Sequence, residues 1–290
     1  TAILAKNYDA VCIFVNDDAG KETIKVLKKL GVRTILLRCA GFNNVDLKVA
    51  KEADIKVLRV PSYSPEAVAE YAMGLLLTVN RNIHRAYVRT RDFNYNINGL
   101  MGIDLVGKTA GVIGTGKIGQ MMIDILKGFK MHILAYDPYP VKGLDAEYVD
   151  LDRLFRESDV ISLHCPLTKD TRHIINKKNI EKMKDGVLLV NTSRGGLINT
   201  GDLIEALMAR KFAGVGLDVY EEEDEYFFED KSNDIITDED LIRLTSFRNV
   251  ILTSHQAFFT RDAMEAIAKV TMENARAVEE GTELKNQVLP

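Results

Sequence analysis

The chain has 290 residues, of which 46% are hydrophobic and 28% charged, so it has an ordinary globular composition and is long enough for two domains. A net charge of −4 without a basic stripe argues against nucleic-acid binding. No apolar run approaches the roughly 18 residues of a membrane-spanning helix, and the first residues show no signal-peptide pattern. We therefore expect a cytoplasmic protein that binds neither nucleic acid nor membrane.

Three widely spaced cysteines, Cys12, Cys39 and Cys165, stand inside apolar segments. An odd and dispersed set of this kind is typical of free thiols in a reducing compartment, not of a disulfide framework. We expect all three thiols to be buried.

Residues 1–60 alternate short β-branched runs with amphipathic segments, which is the pattern of parallel βα units. Residues 1–6 resemble the end of a helix, so we expect the first strands of this domain to lie outside this chain. The predicted strands are 10–15, 34–38 and 55–60, and the predicted helices are 21–30 and 46–53.

Residues 65–82 predict a long helix that is rich in Ala, Leu and Met on nearly every face. A helix that is apolar all round must be covered on several sides, here by another domain or another subunit. Residues 83–103 are polar and aromatic and predict a helix or an arm. This segment is either a connector or, together with the helix before it, part of a dimer contact.

Residues 109–119 combine an apolar strand with a glycine-rich turn, GTGKIG, that opens a helix. The first glycine allows the tight turn, the second lets a pyrophosphate approach the backbone, and the third lets the helix pack on the strand. A GxGxxG alone can be an ordinary turn, but here a strand at 133–136 ends in an aspartate, about 20 residues on, where a ribose-binding acid belongs. The predicted cofactor-binding residues of this region are Gly114, Thr115, Gly116, Lys117, Ile118, Gly119 and Asp137.

Strands and helices continue to alternate after Asp137, with an acidic loop at 221–240. This order predicts a doubly wound Rossmann domain at 63–257, which begins with the long helix at 65–82. It is inserted in a smaller, flavodoxin-like α/β domain formed by 1–62 and 258–290. The remaining predicted strands are 159–164, 186–191, 214–218 and 249–253, and the helices are 151–157, 177–183, 201–209, 240–244 and 262–280.

Ligands of open α/β sheets bind at the carboxyl ends of the strands, so polar residues there are candidates for the site. Arg194 suits bidentate capture of a carboxylate, with an interdomain salt bridge as the alternative. His255 can titrate near neutral pH, although a single histidine at a strand end is more often structural. Glu223 would hold and charge that imidazole if the two side chains meet; otherwise it belongs to a solvated acidic loop.

Seven motifs follow one another along the chain: AGFNNVD at 40–46, VPSYSPEAVAE at 60–70, GTGKIG at 114–119, HCPLT at 164–168, NTSRG at 191–195, DVYEEE at 218–223 and SHQAF at 254–258. Together they resemble the NAD-dependent D-2-hydroxyacid dehydrogenases over essentially the whole chain. Three further runs, CIFVNDD, NINGLMGID and FFEDKSND, are closer still to the bacterial fermentative D-lactate dehydrogenases.

The resemblance implies NAD (NADH) as cofactor, no metal, and a catalytic set in which the family's arginine, glutamate and acid/base histidine fall on Arg194, Glu223 and His255. Glu221 and Glu222 stand at positions that the family does not use. The substrate-binding positions implied are the backbone N–H groups of Ala40 and Gly41, which bind the carboxylate, and the side chains of Tyr63 and Phe258, which shape the pocket.

For the cofactor, the resemblance implies that Asp137 binds the adenosine ribose. His164 is expected beside the cofactor in a structural role. The positions that line the adenine and nicotinamide sites are Cys165, Pro166, Thr192 and Asp218. In two respects the chain departs from the family: the strand, helix and strand that precede this region in relatives are missing, and the segment 141–147 is shorter.

The expected function is reversible reduction of a small 2-keto acid, first of all pyruvate, to the D-2-hydroxy acid by a homodimer or homotetramer. Within the enzyme class, the alternative substrates are branched-chain 2-keto acids and hydroxypyruvate. Outside it, the same scaffold serves as a dinucleotide-sensing corepressor that binds protein partners.

Overall fold

The computed structural model describes residues 2–290. They form two compact units, one made of 2–64 with 259–290 and the other of 65–258. These bounds lie within two residues of the predicted division, and the second unit is inserted in the first. In the described part of the chain, no helix combines the length and the apolar character that crossing a bilayer requires.

The first unit contains a three-stranded parallel sheet in the order β1-β2-β3. Its central strand is buried along its whole length. A short 3-10 helix at Ala2–Ala5 stands where the sequence indicates the end of a helix. The elements are β1 (Ala10–Ile13), α1 (Lys21–Lys29), β2 (Thr34–Leu37), α2 (Leu47–Glu52), β3 (Lys56–Leu58) and the C-terminal α10 (Arg261–Glu280).

The second unit contains a seven-stranded parallel sheet in the order β10-β9-β8-β7-β4-β5-β6. The order reverses next to β4, which is the switch point of a doubly wound fold, and the predicted α/β class is confirmed. The elements are α3 (Pro65–Arg81), α4 (Ile83–Arg91), β4 (Thr109–Ile113), α5 (Lys117–Gly128), β5 (His132–Tyr136), β6 (Glu147–Tyr148), α6 (Leu151–Glu157), β7 (Val160–Leu163), α7 (Lys177–Lys182), β8 (Val187–Asn191), α8 (Thr200–Met208), β9 (Phe212–Leu217), α9 (Glu239–Ser246) and β10 (Val250–Leu252).

The apolar helix α3 is covered by the sheet of its own unit. It packs against β8, β9 and α5. A Cβ at Gly214 would lie 2.9 Å from Val79 Cβ, and a Cβ at Gly216 would lie 3.0 Å from Leu75 Cβ, so β9 leaves out side chains where the helix approaches. Burial of α3 therefore needs no second domain or subunit, and the interdomain or dimer role of 65–82 stays a prediction.

The expectation that all three thiols are buried is wrong for Cys12. Cys39 and Cys165 are buried, whereas Cys12 is exposed. Strand β1 lies at the edge of its sheet, and its side chains alternate between exposed and half-buried positions. A strand in the interior of the sheet, such as β2, has both faces covered.

Candidate functional site

His255 and Glu223 meet beyond the carboxyl ends of β10 and β9. His255 Nδ1 lies 2.7 Å from Glu223 Oε1, and the two side chains are only 17% and 16% exposed. The other carboxylate oxygen, Oε2, accepts a hydrogen bond from the Tyr220 N–H at 2.9 Å. Because Glu223 is held at both oxygens, it fixes the orientation of the imidazole and leaves Nε2 for a ligand. Glu223 is therefore a hydrogen-bonding partner of His255 and not only a solvated residue of the acidic loop.

Asp218 holds the segment that carries His255. It is fully buried; Oδ1 accepts from Thr253 Oγ1 (2.6 Å) and the Gln256 N–H (3.0 Å), and Oδ2 accepts from the Ala257 N–H (2.7 Å). Burial raises the pKa of the Asp218 carboxyl, while these hydrogen bonds lower it. The contacts give Asp218 a structural role, and its contact with the cofactor stays a prediction.

Arg194 stands in the turn after β8 and is half-buried. Its Nη1 donates to the Ser193 carbonyl at 2.7 Å, and among residues 2–290 the guanidinium forms no ion pair. A Cβ on Gly195 would overlap the backbone of Tyr220, so this turn touches the loop that carries Glu223 directly. A guanidinium without a carboxylate partner is thereby available to an anionic ligand.

Glu221 has an anchoring role that the sequence does not indicate. Its side chain is 14% exposed; Arg172 Nη2 donates to Oε1 at 3.0 Å, and His173 Nε2 lies 2.6 Å from the same oxygen. The His173 N–H also donates to the Gly196 carbonyl at 2.9 Å. The loops after β7, β8 and β9 are thus tied together beside Glu223. No local signal could reveal this, because the partners lie 49 and 48 residues earlier in the chain.

The glycine turn has the geometry that a dinucleotide requires. Gly114 has a φ of +95°, and a Cβ there would lie 2.5 Å from Cys165 N. A Cβ at Gly119 would overlap the Gly114 carbonyl oxygen, so the helix packs on the turn. Gly116, the N-cap of α5, faces open space, and no side chain caps the helix. The helix N–H groups at this end can therefore bind a pyrophosphate.

Asp137 lies beside this turn at the end of β5. Its Oδ2 accepts from Thr115 N–H (2.7 Å) and Thr115 Oγ1 (3.1 Å), and its Oδ1 accepts from the Tyr139 N–H (2.9 Å). Tyr148 OH donates to Thr115 Oγ1 at 2.9 Å and so supports the arrangement from the edge strand β6. A carboxylate accepts about four hydrogen bonds, so the three formed here leave a position for a ribose hydroxyl.

The predicted residues after β7 and β8 present unpaired polar atoms. His164 Nδ1 and Thr192 Oγ1 are buried without a hydrogen-bond partner in the part of the chain that the structure describes. His164 Nε2 lies 2.8 Å from Ser162 Oγ, and burial lowers the pKa of His164 to about 4, so the ring is neutral at pH 7. Burial raises the pKa of the Cys165 thiol to about 11, which makes it unreactive, and Pro166 is exposed. The Thr192 hydroxyl is suited to a polar group of a bound cofactor.

The predicted substrate-binding residues of the first unit lie on two segments that follow β2 and β3. Ala40 and Gly41 form a turn after β2, and their N–H groups donate to no acceptor within residues 2–290. Tyr63 is half-buried in the segment after β3. Phe258, in the second unit, is half-buried and follows His255 closely.

The family model for the D-isomer specific 2-hydroxyacid dehydrogenase NAD-binding domain matches residues 73–257. The chain is 55% identical over 292 residues to D-lactate dehydrogenase of Escherichia coli, with 100% of this chain and 89% of that protein covered. The chain belongs to the D-isomer specific 2-hydroxyacid dehydrogenases. It is also 50% identical over 276 residues to D-lactate dehydrogenase kk1H of Curvularia clavata, with 94% and 79% covered.

Solved structures of this dehydrogenase family have the same fold. The apo-structure of D-lactate dehydrogenase from Escherichia coli has a TM-score of 0.90 at 51% identity, covering 100% of this chain and 88% of that one. D-lactate dehydrogenase from Aquifex aeolicus complexed with NAD and lactic acid has a TM-score of 0.90 at 34% identity, covering 100% and 89%.

The dehydrogenase is thus an NAD-dependent oxidoreductase that acts on CH–OH donors, and the predicted family and cofactor are confirmed. The open face at Gly116, the uncapped α5 and the unpaired Thr192 hydroxyl fit a dinucleotide. Its substrates are small 2-hydroxy or 2-keto acids.

Proposed function

We propose that this dehydrogenase reduces pyruvate reversibly to D-lactate and that His255 is its acid/base. The observation that carries the proposal is the pair of His255 with Glu223, 2.7 Å apart, in the loop next to the unpaired Arg194. The similarity to D-lactate dehydrogenases of known sequence and structure supports the choice of substrate.

When bound, NADH supplies the hydride that reduces the carbonyl carbon. His255, protonated and oriented by Glu223, donates the Nε2 proton to the ketone oxygen, and takes it back from the hydroxyl in the reverse reaction. Arg194 binds the substrate carboxylate and polarises the carbonyl, since its five N–H donors match that planar group. In the first unit, the N–H groups of Ala40 and Gly41 are the proposed carboxylate-binding groups.

The cofactor-binding residues proposed are those of the glycine turn, the ribose-binding acid and the strand ends around them. The pyrophosphate lies on the N–H groups at the start of α5, and Asp137 binds the ribose and repels a 2′-phosphate. The residues that complete the site are Gly114, Thr115, Gly116, Lys117, Ile118, Gly119, Cys165, Pro166, Thr192 and Asp218.

A second substrate class is favoured by one comparison. The structure of D-2-hydroxyisocaproate dehydrogenase is 32% identical with a TM-score of 0.86, so a bulkier 2-keto acid is the alternative. In our proposal Tyr63 and Phe258 are substrate-binding residues, and the choice of pyruvate rests on the 55% identity to D-lactate dehydrogenase of Escherichia coli. The hydrogen-bonded His255 and Glu223 argue for catalysis over a dinucleotide-sensing corepressor, which needs no acid/base.

The test is NADH oxidation against pyruvate, hydroxypyruvate and a branched-chain 2-keto acid, with NADPH as the cofactor control. Pyruvate should give the highest kcat/KM. General acid catalysis supplies about 10²- to 10⁴-fold, so His255→Ala should lose at least that in kcat while it still binds NADH. His132→Ala, which alters an exposed histidine, is the control. Near-normal turnover in His255→Ala would contradict the assignment of His255 as the acid/base. A preference for another 2-keto acid would contradict the choice of pyruvate as substrate.

We also propose a homodimer or homotetramer in the cytoplasm, with a fermentative role. Helix α4 buries none of its residues, and the segment after it returns to α3 where Asn80 Nδ2 donates to the Ile103 carbonyl at 2.9 Å. Exposed apolar residues along this arm suit a second copy of the chain. Sedimentation equilibrium should give at least twice the monomer mass. The exposed residues are Tyr87, Phe93, Ile97 and Met101.

A further inference from the structure

Arg59 holds the turn that carries the proposed carboxylate-binding N–H groups. It follows β3 and is half-buried. Its Nη1 donates to the Ala40 carbonyl at 2.9 Å, and its guanidinium carbon lies 5.0 Å from the centroid of the Phe42 ring. The guanidinium thus contacts residues on both sides of Gly41.

The backbone on either side of Arg59 is itself fixed. The Arg59 N–H donates to the Asn286 carbonyl at 3.1 Å, and the Arg59 carbonyl accepts from Asn274 Nδ2 at 2.9 Å. Asn274 is buried, and its Oδ1 accepts from Asn286 Nδ2 at 2.9 Å. The C-terminal helix and the segment after it therefore hold Arg59 in register with the turn.

These contacts set the direction of two N–H groups. The Cys39 carbonyl accepts from the Val60 N–H at 3.1 Å, and the Ala40 carbonyl accepts from Arg59. In a trans peptide the N–H points opposite to the carbonyl of the same unit. The N–H of Ala40 consequently points away from Val60, and the N–H of Gly41 points away from the Arg59 guanidinium.

The charge of Arg59 strengthens one of these donors. Within residues 2–290 the guanidinium forms no ion pair, so no carboxylate neutralises it. A charge-assisted hydrogen bond to the Ala40 carbonyl polarises the peptide that ends in the Gly41 N–H, and hydrogen bonds in such chains reinforce one another. Arg59 therefore makes the turn both fixed in orientation and electropositive.

We propose that Arg59 is the positioning residue of the carboxylate subsite: it aims and polarises the Ala40–Gly41 turn toward the carboxylate of a 2-keto acid. This inference rests on the proposed function in one respect: it takes the Ala40–Gly41 turn as the site that binds the substrate carboxylate. It predicts that loss of Arg59 weakens binding of the anionic substrate while the proton and hydride steps are retained.

The experiment compares Arg59→Gln, Arg59→Lys and wild type with pyruvate and with its uncharged methyl ester. Removal of a charge-assisted hydrogen bond should raise KM for pyruvate in Arg59→Gln by about 10- to 100-fold. In Arg59→Gln, kcat with pyruvate and the Kd for NADH should stay within about threefold of the wild-type values. The same should hold for kcat/KM with the methyl ester. Arg59→Lys, which keeps the cation, should recover part of the loss.

Arg33→Gln is the matched control, since it removes the same charge from an exposed position in the same unit. An unchanged KM in Arg59→Gln, equal losses with pyruvate and its ester, or an equal rise in Arg33→Gln would overturn the proposal. If Arg59→Gln does not fold, a KM increase confined to pyruvate in Arg59→Lys supports the proposal and its absence overturns it. A wild type inactive on every 2-keto acid would instead refute the proposed function.

Discussion

Replacing Glu223 by glutamine removes the charge beside His255 and leaves the size of the side chain unchanged. The carboxylate accepts from the Tyr220 N–H and lies 2.7 Å from His255 Nδ1. A glutamine that keeps the bond from Tyr220 turns its NH₂ group toward Nδ1. An imidazolium has an N–H at both ring nitrogens, so its Nδ1–H would face a second donor in place of the carboxylate that accepts it. Glu223→Gln should therefore lose the hydrogen bond that orients His255 for proton transfer, and kcat for pyruvate reduction should fall.

The magnitude follows from the geometry of the pair. At 2.7 Å, with both side chains mostly buried, the contact between His255 Nδ1 and Glu223 is a hydrogen bond to a charged group, which contributes about 1.5–3 kcal/mol. Since 1.36 kcal/mol corresponds to a factor of ten in rate, kcat for pyruvate reduction should fall by about 10- to 100-fold in Glu223→Gln. The assay is initial-rate NADH oxidation at saturating pyruvate.

Glu222→Gln is the control, because it makes the same charge change at the exposed neighbouring residue. It should leave kcat unchanged, and both variants should bind NADH with unchanged Kd. An unchanged kcat in Glu223→Gln, or an equal fall in Glu222→Gln, would refute the reasoning.

Asp137→Ala should lower the ratio of kcat/KM with NADH to that with NADPH by about 10-fold or more, since a negative charge beside the 2′-phosphate is removed; an unchanged ratio would count against the assignment. Burial lowers the pKa of His164 to about 4, so as the pH falls its imidazole is protonated in the unfolded chain before it is protonated in the native state. The free energy of unfolding should therefore decrease by about 2–3 kcal/mol between about pH 6.5 and pH 4.5. The free energy of unfolding, measured with urea at both pH values, should decrease less in His164→Asn than in the wild type. An equal decrease in the two proteins would contradict this reasoning. A thiol reagent at about pH 8 should modify Cys12 before Cys165, because Cys12 is exposed whereas Cys165 is buried; burial raises the pKa of both thiols, that of Cys165 to about 11, and an unchanged rate of modification in Cys12→Ser would be inconsistent with this.

Most of the fold could be predicted from the sequence, because each element carries its own signal. The strand at Thr109–Ile113 and the helix at Leu151–Glu157 begin and end where the sequence predicts. Periodicity and glycine or proline at the boundaries are local properties of the chain. The two-residue strand Glu147–Tyr148 was missed, since it is defined by pairing with its neighbour and too short to show a pattern.

The candidate site, too, could be predicted from the sequence only in part. The order of Arg194, Glu223 and His255 after successive strands could be predicted, because parallel strands bring their carboxyl ends to one edge. Whether Glu223 reaches His255 could not, since 32 residues separate them and the loop between could lead elsewhere. The anchoring of Glu221 by Arg172 was likewise invisible.

By itself, the sequence determined the alternation of strands and helices, the dinucleotide turn at 114–119 and the acid that follows it, because these depend on neighbours within a few residues. Only the tertiary structure decided that the sheet of its own unit covers α3, that Cys12 is exposed at a sheet edge, and that Arg59 holds the Ala40 carbonyl. These features come from contacts between segments far apart in the chain. Their geometry is set by packing and hydrogen bonding after the elements have formed.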